Sequence, residues 1–138
     1  MTSNTKPIGV AYEDQNIIGP DFILSDNQLG YTATAQGTVT QATDKTTAVT
    51  LNKSAGRITL NAAALGATTN VSFTLNNSFI STNDVLIVTL SGGIATAATY
   101  NCWVNSLSAG SASITLRNIS AGSLSEAVII NFALIHCV

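Results

Sequence analysis

From Thr32 onward, apolar and polar residues alternate with a period of two, interrupted at short intervals by Gly, Asn and Ser. Successive side chains on a strand point to opposite faces, so this pattern predicts strands with one buried face. It places eight of them, at residues 32–41, 47–52, 56–61, 70–77, 84–91, 99–107, 111–118 and 127–136. The separators Lys53-Ser-Ala-Gly56, Asn76-Asn-Ser78, Ser91-Gly-Gly93, Ala109-Gly110 and Ala121-Gly-Ser123 supply residues that tolerate left-handed backbone. Proline stops at Pro20, so no later ladder lacks a donor for that reason. Only residues 61–65 (Asn-Ala-Ala-Ala-Leu) have helical character, and their length predicts no more than a 3₁₀ turn.

Eight strands without a helix to cover a sheet predict an all-β fold: a β-sandwich of about eight antiparallel strands, jelly-roll-like, over residues 31–138. A closed barrel is the competing architecture. The inward set is Val49 and Leu51, Ile58 and Leu60, Val71, Phe73 and Leu75, and Ile114 and Leu116. Two segments, Val85-Leu-Ile-Val88 and Ala127-Val-Ile-Ile-Asn-Phe-Ala-Leu-Ile135, are apolar on both faces. Their second face needs cover, by another subunit or by a loop folded over it, and the reading favours a subunit. Trp103, Ile129, Phe132 and Ile135 are the expected interface residues.

Residues 1–30 have a different character. Lys6-Pro-Ile-Gly-Val-Ala-Tyr-Glu-Asp14 sets Ile8, Val10 and Tyr12 among turn formers, and Ile17-Ile18 and Phe22-Ile-Leu24 follow. A disordered tail rarely carries such apolar anchors, so the segment reads as an extended arm that orders against a partner. Its expected contact residues are Lys6, Pro7, Ile8, Val10, Tyr12, Asp14, Ile17 and Ile18.

Charge narrows the function. The chain has five Lys/Arg and seven Asp/Glu, 9% of its 138 residues, where ordinary soluble domains have about 25%. The five cations are dispersed and the net charge is −2, which argues against nucleic acid as a partner. No apolar run reaches the roughly 18–20 residues of a spanning helix, and no secretory signal is evident, so no membrane association and assembly in a cytoplasm are expected.

Chemistry fares poorly. His136 is the single histidine and neighbours Cys137 on a strand, where adjacent side chains diverge, which disfavours a Cys-His dyad. Three Cys/His residues fall short of a zinc set, and no Asp-rich calcium loop occurs, so neither metal nor cofactor is expected. Asp84 and Glu126 are the one carboxylate pair worth naming for glycoside hydrolysis. Cys102 and Cys137 read as free thiols rather than a disulfide. Four Asn-x-Ser/Thr triplets, at Asn52, Asn70, Asn76 and Asn118, read as chance occurrences. Tyr31, Tyr100 and Trp103 could stack on sugar rings, but for Trp103 the reading favours burial at a subunit contact. The chain is not expected to be an enzyme.

Three stretches carry a resemblance. The run Gly37-Thr-Val-Thr-Gln-Ala-Thr-Asp-Lys45-Thr-Thr-Ala-Val-Thr-Leu-Asn-Lys53-Ser-Ala-Gly56-Arg-Ile-Thr, then Val71-Ser-Phe-Thr-Leu-Asn-Asn-Ser78 with Asp84-Val, then Ser123-Leu-Ser-Glu-Ala127-Val-Ile-Ile-Asn-Phe132, resembles a domain of structural proteins of tailed bacteriophages, cyanophages among them. The first run is the most specific. The resemblance implies a trimeric β-sandwich on the virion, either a capsid decoration (cement) protein held by its arm to the major capsid protein or the tip of a fibre that binds a host receptor or surface glycan. Residues 6–14 are similar to attachment segments of such proteins. A fibre needs a shaft of repeats or heptads, which this chain lacks, so decoration of the capsid surface is the expected role.

Overall fold

The computed structural model describes the backbone of residues 17–18, 23–25 and 28, and residues 29–137 in full. Three short strands come first: β1 (Ile17–Ile18), β2 (Ile23–Ser25) and β3 (Gln28–Gly30), paired antiparallel in that order. Eight more follow: β4 (Gln36–Thr40), β5 (Val49–Thr50), β6 (Ala55–Thr59), β7 (Asn70–Asn76), β8 (Val85–Gly92), β9 (Tyr100–Ser108), β10 (Ser111–Asn118) and β11 (Ile129–Ile135). They form two four-stranded sheets, β5-β7-β10-β9 and β4-β6-β11-β8, stacked as a sandwich. Among the described residues no helix is long and apolar enough to cross a membrane.

The eight strands fall where alternation put them, because alternation and burial coincide. Along β11, Ile130, Phe132 and Leu134 are buried, whereas Asn131 and Ile135 are exposed. Along β7 the buried positions are Phe73 and Leu75. These meet Ile58, Leu60, Ile114 and Leu116 in one core, each of these last four no more than 1% exposed. Every such Leu or Ile contributes roughly 1.5–3 kcal/mol relative to an exposed position. Leu51 and Val71 pack at its margin.

Pairing is not antiparallel throughout. β4 runs parallel to β6 (Gly37 opposite Gly56), and β5 runs parallel to β7. From β4 to β7 the chain changes sheet at every connection, and each crossing reverses its direction. Two crossings therefore return it beside its starting strand, pointing the same way. In the sandwich only β9 and β10 are joined by a hairpin within one sheet; its turn is Ala109–Gly110, with Gly110 at φ 78°.

Two other expectations concern segments outside these strands. The 3₁₀ turn lies at Ala33–Ala35. Residues 61–65 hold no helical turn: the Asn61 side chain takes the Ala63 N–H (2.8 Å), and Leu65 pairs with Leu124 on its way between sheets. The reading of residues 1–30 as an extended arm lies mostly outside the described residues; where the backbone is described, β1 to β3 fold back on one another rather than running straight.

Buried amides close the ends of the sandwich. Asn118 and Asn77 are both fully buried. The Asn118 Nδ2 donates to the carbonyls of Leu65 (2.9 Å), Gly66 (3.0 Å) and Gly122 (2.8 Å), and its Oδ1 accepts from the N–H and hydroxyl of Ser120. Asn77 bonds the carbonyl of Lys53 and the N–H of Phe79. The triplet at Asn118 is thus a structural lock whose amide is inaccessible to a glycan.

Candidate interaction surface

The outer face of the β4-β6-β11-β8 sheet carries three of the six large apolar side chains exposed among the described residues. Its register sets Val85 opposite Ile135, then Ile87, Ala133, Ala55 and Gln36 in one row, then Thr89, Asn131, Arg57 and Thr38 in the next. Val85, Ile87 and Ile135 form a corner in which each is nearly half exposed (49%, 46% and 48%). Ala133 and Ala55 make a low saddle leading from that corner towards β4. Beyond it lies an open depression of about 500 Å³, walled by Gln36, Thr38, Arg57 and Asn131 and floored by the backbone of Gly37, Gly56 and Phe132.

Beneath that floor the glycines make room for core side chains. A Cβ on Gly56 would stand 2.6 Å from a Leu51 methyl and 2.8 Å from the Phe132 ring. Glycine there leaves the interior to those two side chains. Arg57 is the one charged residue among the outward strand positions of this sheet; its Nε donates to Asn131 Oδ1 (3.4 Å), which also accepts from Ser91 Oγ (3.0 Å). Tyr31 pins the incoming chain beside this face. Its hydroxyl donates to the Leu134 carbonyl, and Gln36 Nε2 donates to the Tyr31 carbonyl (3.0 Å). Burial pushes the Tyr31 hydroxyl pKa up.

The other sheet presents hydroxyls and amides. Trp103, half-buried, stands opposite Thr115 on its outer face; Thr115 is 4% exposed and shares a hydrogen bond with Ser72 (2.8 Å). Arg117 is the single charge among the outward positions there.

The four expected interface residues do not share a surface. Ile129 and Ile135 lie on the outer face of one sheet, Trp103 on the outer face of the other, and Phe132 is 4% exposed in the core. Phe132 is an odd number of residues from both Ile129 and Ile135, so the strand period sends it inward. The expected arm residues Lys6, Pro7, Ile8, Val10, Tyr12 and Asp14 lie outside the described residues. Ile17 and Ile18 form β1, paired with Leu24 and Ile23. The three aromatics named for sugar stacking are dispersed: Tyr100 is buried, Tyr31 sits beside Leu134, and Trp103 lies on the opposite face of the sandwich.

Two polar clusters accompany the sheets. Asp84, 7% exposed, accepts from the N–H and hydroxyl of Ser81 (both 2.8 Å) and from the Cys137 N–H (3.2 Å), and meets His136 Nδ1 at 3.0 Å. The Ser81 hydrogen bonds hold its carboxyl well below the usual range, with help from Cys137 and His136 against the effect of burial. The Ser81 hydroxyl bonds the carboxylate rather than the imidazole, so the order is not that of a nucleophile–base relay. Its work is to pin the residues after β11 to the start of β8. Glu126 takes the Ala95 N–H (2.8 Å), just past the other end of β8. An eight-residue strand separates the two carboxylates by about 25 Å, beyond the spacing of glycosidase pairs.

The second cluster was illegible in the sequence. Lys45 is 3% exposed, and its Nζ donates to the carbonyls of Asn61 and Glu126 (2.7 Å to the latter). Burial pulls its pKa down, and the Glu126 charge opposes that. Gln41 supports the loop by bonding the carbonyls of Lys45 and Thr47. Nearby, burial and Glu126 push the Tyr100 hydroxyl up to about 12. A lysine in a Thr-rich loop predicts exposure, and nothing local marks this one as an internal strut. Cys102 and Cys137 are free thiols, and burial pushes the Cys102 thiol up.

No family model, no curated protein and no solved structure matches this chain.

Proposed function

We propose that this chain is a structural, non-enzymatic protein of a bacteriophage particle: a decoration subunit of the capsid surface, assembled in the host cytoplasm, that works as a homotrimer and grips the major capsid protein through its N-terminal segment. The observation that carries the reading is the neutrality of both broad faces, each a field of Thr, Ser, Asn and aliphatic side chains interrupted by one arginine, Arg57 or Arg117. Surfaces of this kind associate without desolvating charge, the costly part of burying polar groups. Trp103 is the natural anchor of the subunit contact, since a half-buried aromatic on an edge strand gains most by being covered. The resemblance of residues 37–59, 71–78 and 123–132 to phage structural domains supplies the particle.

The test is location and assembly together. Labelled antibody should mark the shell of purified particles, and sedimentation should give a trimer that Trp103→Arg converts to a folded monomer. Removal of residues 1–30 should leave the trimer and abolish particle binding. Label confined to the tail, or full binding by the truncated chain, would overturn the reading. The fibre-tip alternative, binding a host glycan, lacks a shared aromatic platform, as Tyr31, Tyr100 and Trp103 are on different surfaces.

A further inference from the structure

We propose that in the free protein residues 8–14 dock as an extended strand across the outer face of the β4-β6-β11-β8 sheet of their own chain. Ile8, Val10 and Tyr12 would cover the corner of Val85, Ile87 and Ile135, and Asp14 would meet Arg57. Three observations on different levels agree. The first is pattern: residues 8, 10, 12 and 14 share one side of an extended chain, three apolar and then one acidic, which is the order met along the face from the corner over the Ala133–Ala55 saddle to Arg57. The second is charge. Glu13, Asp14, Asp21 and Asp26 are four of the seven acids, all in the first thirty residues, and Arg57 is the only charge among the outward strand positions of that face.

The third is reach. Tyr31, bonded to the Leu134 carbonyl, brings the chain to this side of the sandwich, and the sixteen residues between Asp14 and Tyr31 are chain enough to return from the far end of the seat. From Val85 to Arg57 the register counts two strands across and four residues along, a diagonal of about 16 Å. Six extended residue steps, Ile8 to Asp14, span about 20 Å. The seat goes beyond the assembly reading and does not depend on it. If that reading holds, the same segment cannot grip a shell and its own sheet at once, so docking holds the apolar corner covered until a shell competes for the arm.

The test uses the full-length protein in dilute solution without particles, so its failure leaves the particle assay unaffected. Hydrogen–deuterium exchange read by mass spectrometry should show the amides of residues 8–14 protected relative to a free peptide of the same sequence. Arg57→Glu and Ile87→Asp should each raise their exchange about fivefold, and adding Asp14→Lys to Arg57→Glu should restore protection. Restoration distinguishes a direct contact from a change in the fold of the sheet. Exchange at the free-peptide rate in the unaltered chain overturns the proposal. So does protection insensitive to both substitutions, or protection lost on dilution, which would assign the segment to a second copy.

Discussion

Replacing Asn118 with alanine should destabilise the protein by about 3 kcal/mol. The side chain is fully buried, and its two Nδ2 hydrogens are divided among the carbonyls of Leu65, Gly66 and Gly122 at 2.8–3.0 Å. Leu65 keeps the Leu124 N–H and Gly66 the Thr69 hydroxyl, and the Ser120 hydroxyl, released from Asn118 Oδ1, turns wholly to Gly122. The loss is therefore two bonds from Nδ2 and the one from the Ser120 N–H, at about 1 kcal/mol each, and not a set of orphaned buried groups. For a domain of this size that lowers the melting temperature by about 10 °C. Urea denaturation measures it, with a lower midpoint at an unchanged slope. Asn118→Asp keeps the size and the acceptor for Ser120 but turns an oxygen towards three carbonyl oxygens, so it should be at least as damaging. A loss below about 1 kcal/mol for the alanine variant, or a native-like aspartate variant, would refute the reasoning.

Lys45→Met should destabilise by about 2–4 kcal/mol in urea melts, because the Asn61 and Glu126 carbonyls lose their buried donor. Since burial lowers the Lys45 pKa, the unfolded chain holds more protons as pH approaches 10.5; wild-type stability gains a rising component there, which the methionine variant should lack. Asp84 has the opposite charge and a lowered pKa. Its contribution is complete above about pH 4 and is lost as pH falls towards the folded value, so Asp84→Asn should flatten the acid limb of stability against pH. Gly93→Ala places a Cβ 2.0 Å from the Ala127 carbonyl oxygen at φ 68° and should cost at least about 3 kcal/mol, whereas Gly110→Ala, at φ 78° in open space, should cost only the left-handed strain of about 1–2 kcal/mol; paired thermal melts separate the two.

The sandwich was legible because most strands have one wet face, so alternation reports burial directly. Val49, Ile58, Phe73, Leu75, Ile114 and Leu116 were all readable as inward for that reason. What alternation cannot report is which strand lies alongside, and the parallel pairs β4–β6 and β5–β7 are decided by loops that cross between sheets. It also loses force where both parities are apolar. In β11 the residues 129, 132 and 135 look equivalent, yet only Phe132 turns inward, where its ring packs against Gly56 beside Leu51. The open face was foreshadowed by Val85-Leu-Ile-Val88, but its depression depends on the register that brings Gln36, Thr38, Ala55, Arg57 and Asn131 together from three strands. Lys45 was missed because its burial is satisfied by carbonyls distant in sequence, which no local pattern encodes.

The weaving of the chain between sheets also bears on its synthesis. β6 is complete at Thr59, but its partner on one side is β11, which begins at Ile129. At roughly 5–20 residues per second, a ribosome needs several seconds to make the intervening chain. During that interval neither sheet has its full centre, since β10 and β11 occupy interior places in the two sheets. A nascent chain therefore has no stable half-sandwich to present. The two sheets are complete only once β11 has been made, so their broad outer faces do not exist before that strand.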